Sequence, residues 1–125
     1  MRSAPIRAAA LVLASCLASC AYVDEDQARL CRIALPALEP AGSRITVERT
    51  AAAERGVRVV YRVSEASGIQ REAYAECRFA LGRPKDVEAI RTDRGEVPGA
   101  TVYLLRRYYI DTQEGISADP VPPKR

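Results

Sequence analysis

Three stretches in the middle of the chain alternate between apolar and polar positions with a period of two. In the first, Ile45 and Val47 alternate with Thr46 and Glu48. In the second, Val57, Val59, Tyr61 and Val63 alternate with Arg58, Val60 and Arg62. In the third, Ala73, Ala75, Cys77, Phe79 and Leu81 alternate with Glu72, Tyr74, Glu76 and Arg78. Successive strand side chains point to opposite faces, so this pattern predicts half-buried antiparallel strands with the odd-numbered residues inward.

Charge suggests the register. Pairing the second stretch with the third so that Val57 faces Cys77 sets Arg62 opposite Glu72 and Arg58 opposite Glu76. Val59 then meets Ala75 and Tyr61 meets Ala73, large against small. A slip of one residue loses both features. The connection 64–70 contains Gly68, as a hairpin loop should. By the same logic Glu48 faces Arg58, which would then lie between two acids. Residues 87–92 read as a fourth strand, followed by a turn at Asp93-Arg94-Gly95.

The period changes on either side of the strands. Asp24-Glu25-Asp26-Gln27 reads as a helix start: Asp24 can cap, Gln27 follows three residues later, and the acids suit the positive helix end. Leu30, Ile33, Ala34 and Ala37 share a helical face, with Cys31 at its edge. Pro36 biases Leu35 away from helical geometry, so the helix is expected to end or kink there. Pro98 suits the first position of a last helix. Val102, Leu105 and Tyr109 share one side of it with Leu104 and Tyr108 adjoining, and Tyr103, Arg106, Arg107 and Ile110 take the outer side. The reading is α+β: an N-terminal helix, a three- or four-stranded antiparallel sheet, a C-terminal helix and one disulfide. Residues 20–114 form this domain, and the proline-rich 115–125 form a flexible tail.

The start of the chain has a different organisation. Arg2 and Arg7 precede an uncharged run, 8–19, of 12 residues. A membrane-spanning helix needs roughly 20. The run closes on a doubled tetrapeptide, Leu13-Ala14-Ser15-Cys16 and Leu17-Ala18-Ser19-Cys20. A basic end, a short apolar run and small residues before a cut make an export signal. An aliphatic residue, two small residues and a cysteine resemble the lipobox of bacterial lipoproteins. The resemblance covers only this leader. It implies a signal peptide over 1–19, removal of that segment, and acyl chains (palmitate among them) on the cysteine that becomes the first residue. Cys20 is preferred over Cys16 because cleavage there leaves the longer apolar run. An ordinary secretory cut near Ala18 or Ala21 is the alternative. Ala21 after the lipidated residue resembles lipoproteins sent to the outer membrane, whereas an Asp there resembles an inner-membrane signal. The implied location is the bacterial cell envelope, facing the periplasm, with the outer membrane favoured.

The leader changes what composition means. From Cys20, 106 residues remain, enough for one small domain. Losing Arg2 and Arg7 leaves 17 basic residues against 16 acidic ones. A nearly balanced charge offers no footprint for nucleic acid. Cys31 and Cys77 are the two cysteines left, and in an oxidising compartment an even pair reads as a disulfide. It would fix the first helix on the inward face of the sheet.

The chain contains no histidine, so Ser-His and Cys-His pairs and the usual zinc sites are excluded. No P-loop or glycine-rich dinucleotide fingerprint occurs. Glu72 and Glu76 share a strand face, but each has an opposing arginine. No catalytic residue, metal ligand or cofactor is assigned. Tyr103, Arg106 and Arg107 form the one surface cluster of residue types enriched at binding hot spots. The expectation is a lipid-anchored, non-catalytic binding or assembly module of the envelope, attached to the membrane by its N-terminal lipid, with an envelope protein as a candidate partner. The alternative is an inhibitor or sensor of an envelope enzyme, acting through loops such as 64–70.

Overall fold

The computed structural model describes residues 22–121 and Ser3. The elements run α1 (Glu25–Leu38), β1 (Arg44–Ala53), β2 (Gly56–Ser64), β3 (Gln70–Ala80), β4 (Arg83–Thr92), β5 (Gly95–Glu96), α2 (Gly99–Tyr108) and α3 (Gln113–Ser117). The strands form one antiparallel meander in the order β1-β2-β3-β4-β5. The fold is α+β, with five strands rather than three or four. The extra one is a two-residue strand that pairs Glu96 with Arg91 and Gly95 with Thr92 immediately after the turn.

The β2–β3 register matches the charge argument at every position: Val57 faces Cys77, Arg58 faces Glu76 and Arg62 faces Glu72. Val57, Val59, Tyr61, Val63, Ala73, Ala75, Cys77 and Phe79 are buried on one face. There they meet Leu30, Ile33, Ala34 and Leu35 of α1, and Val102 and Leu105 of α2, in a single core. Cys31 and Cys77 are joined by a disulfide, with Cα atoms 5.9 Å apart, at the centre of this layer contact.

The β1 register differs from expectation. Val47 faces Tyr61, but Arg49 faces Val60, so Glu48 is an extra residue in a bulge. Arg58 stands opposite Ala51, and Glu48 instead pairs with Arg62 at 3.2 Å. A second bulge lies in β4. Phe79 faces Val87 while Arg78 faces Ala89, which leaves Glu88 over. This insertion switches the buried parity, so Val87 and Ile90 both reach the core. Glu88 pairs with Arg55 at 3.3 Å and Arg78 at 3.4 Å. Both bulged residues are thus glutamates held by arginines of neighbouring strands or turns.

Asp24 caps α1, accepting from the backbone N–H groups of Asp26 and Gln27. Pro36 does not end the helix, which continues to Leu38. Pro36 lies in the last turn, so few backbone bonds remain beyond it, while Leu35 is buried and Leu38 packs against the core. Leu81 was expected inward by alternation. It is 77% exposed, because β3 ends at Ala80 and the chain turns there.

Gly115, where a flexible tail is expected to start, lies inside α3. Thr112 caps α3 by accepting from the Gly115 N–H. Beyond α3, Asp119 takes two hydrogen bonds from Arg32 of α1, at 3.1 and 3.2 Å. A two-pronged Arg–carboxylate pair at the edge of the core gives a segment poor in apolar residues a fixed position. Residues 1–21 apart from Ser3, and with them Cys16, Cys20 and the expected signal peptide, lie outside the described residues, as do 122–125.

Candidate functional site

α2 brings Tyr103, Arg106 and Arg107 to one exposed surface, as their helical spacing requires. Val102 and Leu105 anchor the opposite side. Arg106 and Arg107 occupy the last turn, where cations suit the negative helix end. Arg83 and Asp86 of β4, together with Asp111, complete a shallow hollow around the three residues. Arg106 donates to the Val87 carbonyl at 3.4 Å. Among the described residues neither Arg106 nor Arg107 forms an ion pair, whereas Arg83 pairs with Asp86 at 3.5 Å. The patch therefore presents two unneutralised guanidinium groups beside an exposed tyrosine.

Three side chains assigned to this helix lie elsewhere than expected. Ile110, placed on the outer side, is buried. The helix closes with the Ile110 N–H bonded to the Leu105 carbonyl, which turns the side chain back into the core. Leu104 and Tyr108, read as adjoining the buried side, are both exposed and widen the patch.

The open face of the sheet is charged and largely self-paired. Glu76 contacts Arg58 at 3.7 Å and Arg91 at 3.3 Å, so a carboxylate lies between two arginines rather than the reverse. The Arg58 guanidinium lies 3.9 Å over the Tyr74 ring. Glu72 stands opposite Arg62 in the register, yet Arg62 turns to Glu48. Glu72 and Glu76 are not assembled into a catalytic pair.

One cluster escaped the sequence reading. Glu39, directly after α1, has a fully buried carboxylate. It accepts from the Tyr61 hydroxyl at 2.6 Å, from Arg71, and from Arg94 at 3.3 Å. Arg94 also donates to the Leu38 carbonyl at 2.8 Å, one of the last acceptors of the helix. Burial, first, and then the bond to Glu39 hold the Tyr61 hydroxyl well above the ordinary tyrosine range. The bond to Glu39 likewise holds the Arg71 guanidinium above its usual value. Tyr61 thus stays a neutral donor at physiological pH. The cluster clamps the end of α1 to β2, β3 and the β4–β5 turn. Removing one partner of such a buried ion pair typically costs about 3–5 kcal/mol. The available signal was Glu39 itself: an acid at the negative end of a helix needs cations supplied from elsewhere.

No helix of the described residues is long and apolar enough to cross a membrane. No family model, curated protein or solved structure matches the chain.

Proposed function

We propose that the protein is a non-catalytic binding or assembly module of the bacterial cell envelope, held to the membrane by lipid on Cys20. It faces the periplasm, with the outer membrane as its favoured home. The observation that carries this reading is the doubled Leu-Ala-Ser-Cys at the close of a short uncharged run. A buried disulfide suits an oxidising compartment. The domain also begins close to the anchor, since Asp24 already caps α1. The surface formed by Tyr103, Arg106 and Arg107 is the binding face, because its cations are unpaired and its far side alone is used for packing.

Crosslinking in intact cells tests the binding face. Wild-type protein is expected to give a defined crosslinked species from α2. The Arg106→Ala, Arg107→Ala variant should keep its melting temperature and lose that species. An unchanged crosslinking pattern in the folded variant contradicts the assignment.

A further inference from the structure

The turn between β3 and β4 runs through Leu81 and Gly82, and Gly82 takes φ +76°. Hairpin turns favour glycine and polar residues, so a leucine there that is 77% exposed calls for a partner. Leu81 lines one hollow together with Tyr22, which is 87% exposed, and with Ala52 and Pro84. The Gln27 side-chain amide donates to the Pro84 carbonyl at 3.0 Å, which fixes the start of α1 against this turn. Arg83, next to Pro84, belongs to the hollow that holds Tyr103, Arg106 and Arg107. Tyr22, the Leu81 turn and the basic end of α2 therefore occupy one end of the molecule. Asp86 pairs with Arg83 at 3.5 Å, while Asp111 lines the hollow beside Arg106 and Arg107 with no ion pair among the described residues. Asp24 caps α1, and Asp26 faces Arg29 at 3.7 Å and Lys85 at 3.9 Å.

The length of the intervening chain limits what can cover this end. Tyr22 follows Cys20 by two residues, which span at most about 7 Å. A lipid on Cys20 keeps Tyr22, and with it Leu81, beside the bilayer surface. Tyrosine and arginine carry apolar bodies with polar tips and suit the headgroup boundary, where a leucine can enter the acyl region.

We propose that this end is a second membrane contact. Leu81 and Tyr22 enter the boundary of a phospholipid bilayer, while Arg106 and Arg107 on the adjoining α2 surface stay open to a partner. The domain is thereby held in one orientation, with the 64–70 loop directed away from the membrane. This rests on lipidation of Cys20. Attachment at Cys16 would insert four further residues and no longer force the contact.

The chain has no tryptophan, so a single introduced one reports its own surroundings. The full chain carrying Leu81→Trp is purified from membranes, its N-terminus is defined by mass spectrometry, and it is placed on phosphatidylethanolamine–phosphatidylglycerol vesicles containing brominated lipid. A Ser67→Trp variant reports the opposite end. With lipid on Cys20, the residue-81 probe is expected to shift to the blue and lose most of its emission to bromine. The residue-67 probe should do neither. A lipidated protein whose two probes behave alike overturns the contact and leaves the anchor standing. A residue-81 probe shielded in native membranes but wet on protein-free vesicles also overturns it, in favour of a protein partner. An unmodified N-terminus overturns the anchor itself.

Discussion

Glu39 concentrates the electrostatics of the fold in one carboxylate. Its position after Leu38 puts a negative charge at the negative end of α1, where the helix dipole opposes it. Arg71 and Arg94 reverse that balance, and Tyr61 supplies a neutral hydrogen bond from the core side. The tyrosine makes this arrangement sensitive to alkali. Its ordinary value is 10.0, and the folded protein raises it by burial and by the bond to Glu39. Above that ordinary value the unfolded chain releases the proton while the folded chain keeps it. The stability contributed by Tyr61 is therefore complete below pH 10 and declines above it, by about 1.4 kcal/mol per pH unit. Tyr109 adds a contribution of the same sign, chiefly through burial. Urea unfolding at a series of pH values between 9 and 11.5 checks this. Tyr61→Phe is expected to be less stable at neutral pH and to have a shallower alkaline decline. Parallel declines in the two proteins would contradict the shared burial of Tyr61 and Glu39.

At the scale of elements, legibility followed regularity. β2 and β3 keep strict alternation, and their opposed Arg–Glu pairs settle the register from sequence. Glu48 in β1 and Glu88 in β4 are each extra against the partner strand, β4 has a second irregularity over 84–86, and neither glutamate differs in type from the outward residues around it. A bulge is a matter of counting against a partner strand, so composition cannot show it. The Glu39 cluster was illegible for a related reason, since it draws on α1, β2, β3 and the β4–β5 turn at once. The patch on α2 was legible because it is local to one helix; its extension over Leu104 and Tyr108 was not, since that depended on where β4 ends the contact. The β4 bulge can be tested directly. Deleting Glu88 leaves Val87 and Ile90 two residues apart and both inward in a strand without the bulge, so cooperative thermal unfolding should persist. Glu88→Gln keeps the count and removes only exposed ion pairs, worth about 0–1 kcal/mol each, so its melt should stay near wild type. Loss of cooperative unfolding in the deletion variant, with Glu88→Gln intact, would contradict Glu88 as the extra residue.

For the molecule as a whole, the proposed lipid anchor and the disulfide are linked. If the leader is removed before Cys20 and that residue takes lipid, Cys31 and Cys77 are the thiols left to pair, and the fold places them together in the core. A bridge closing a separation of 46 residues contributes about 4 kcal/mol by loop entropy, a large share of what a domain of this size possesses. The Cys31→Ser, Cys77→Ser variant should unfold at a markedly lower urea concentration, and an unchanged midpoint would mean that the sheet and α1 hold without it. The charged open face is largely paired within itself, and the end near Tyr22, Leu81 and α2 brings exposed apolar side chains together with unpaired arginines. Its importance depends on where the mature chain starts. Intact mass spectrometry of the protein extracted from bacterial membranes tests that most directly. The expected product is a chain beginning at Cys20, heavier than its sequence mass by a diacylglyceryl group and acyl chains, with Cys31 and Cys77 oxidised. An unmodified chain, or one that retains 1–19, would contradict the proposed anchor.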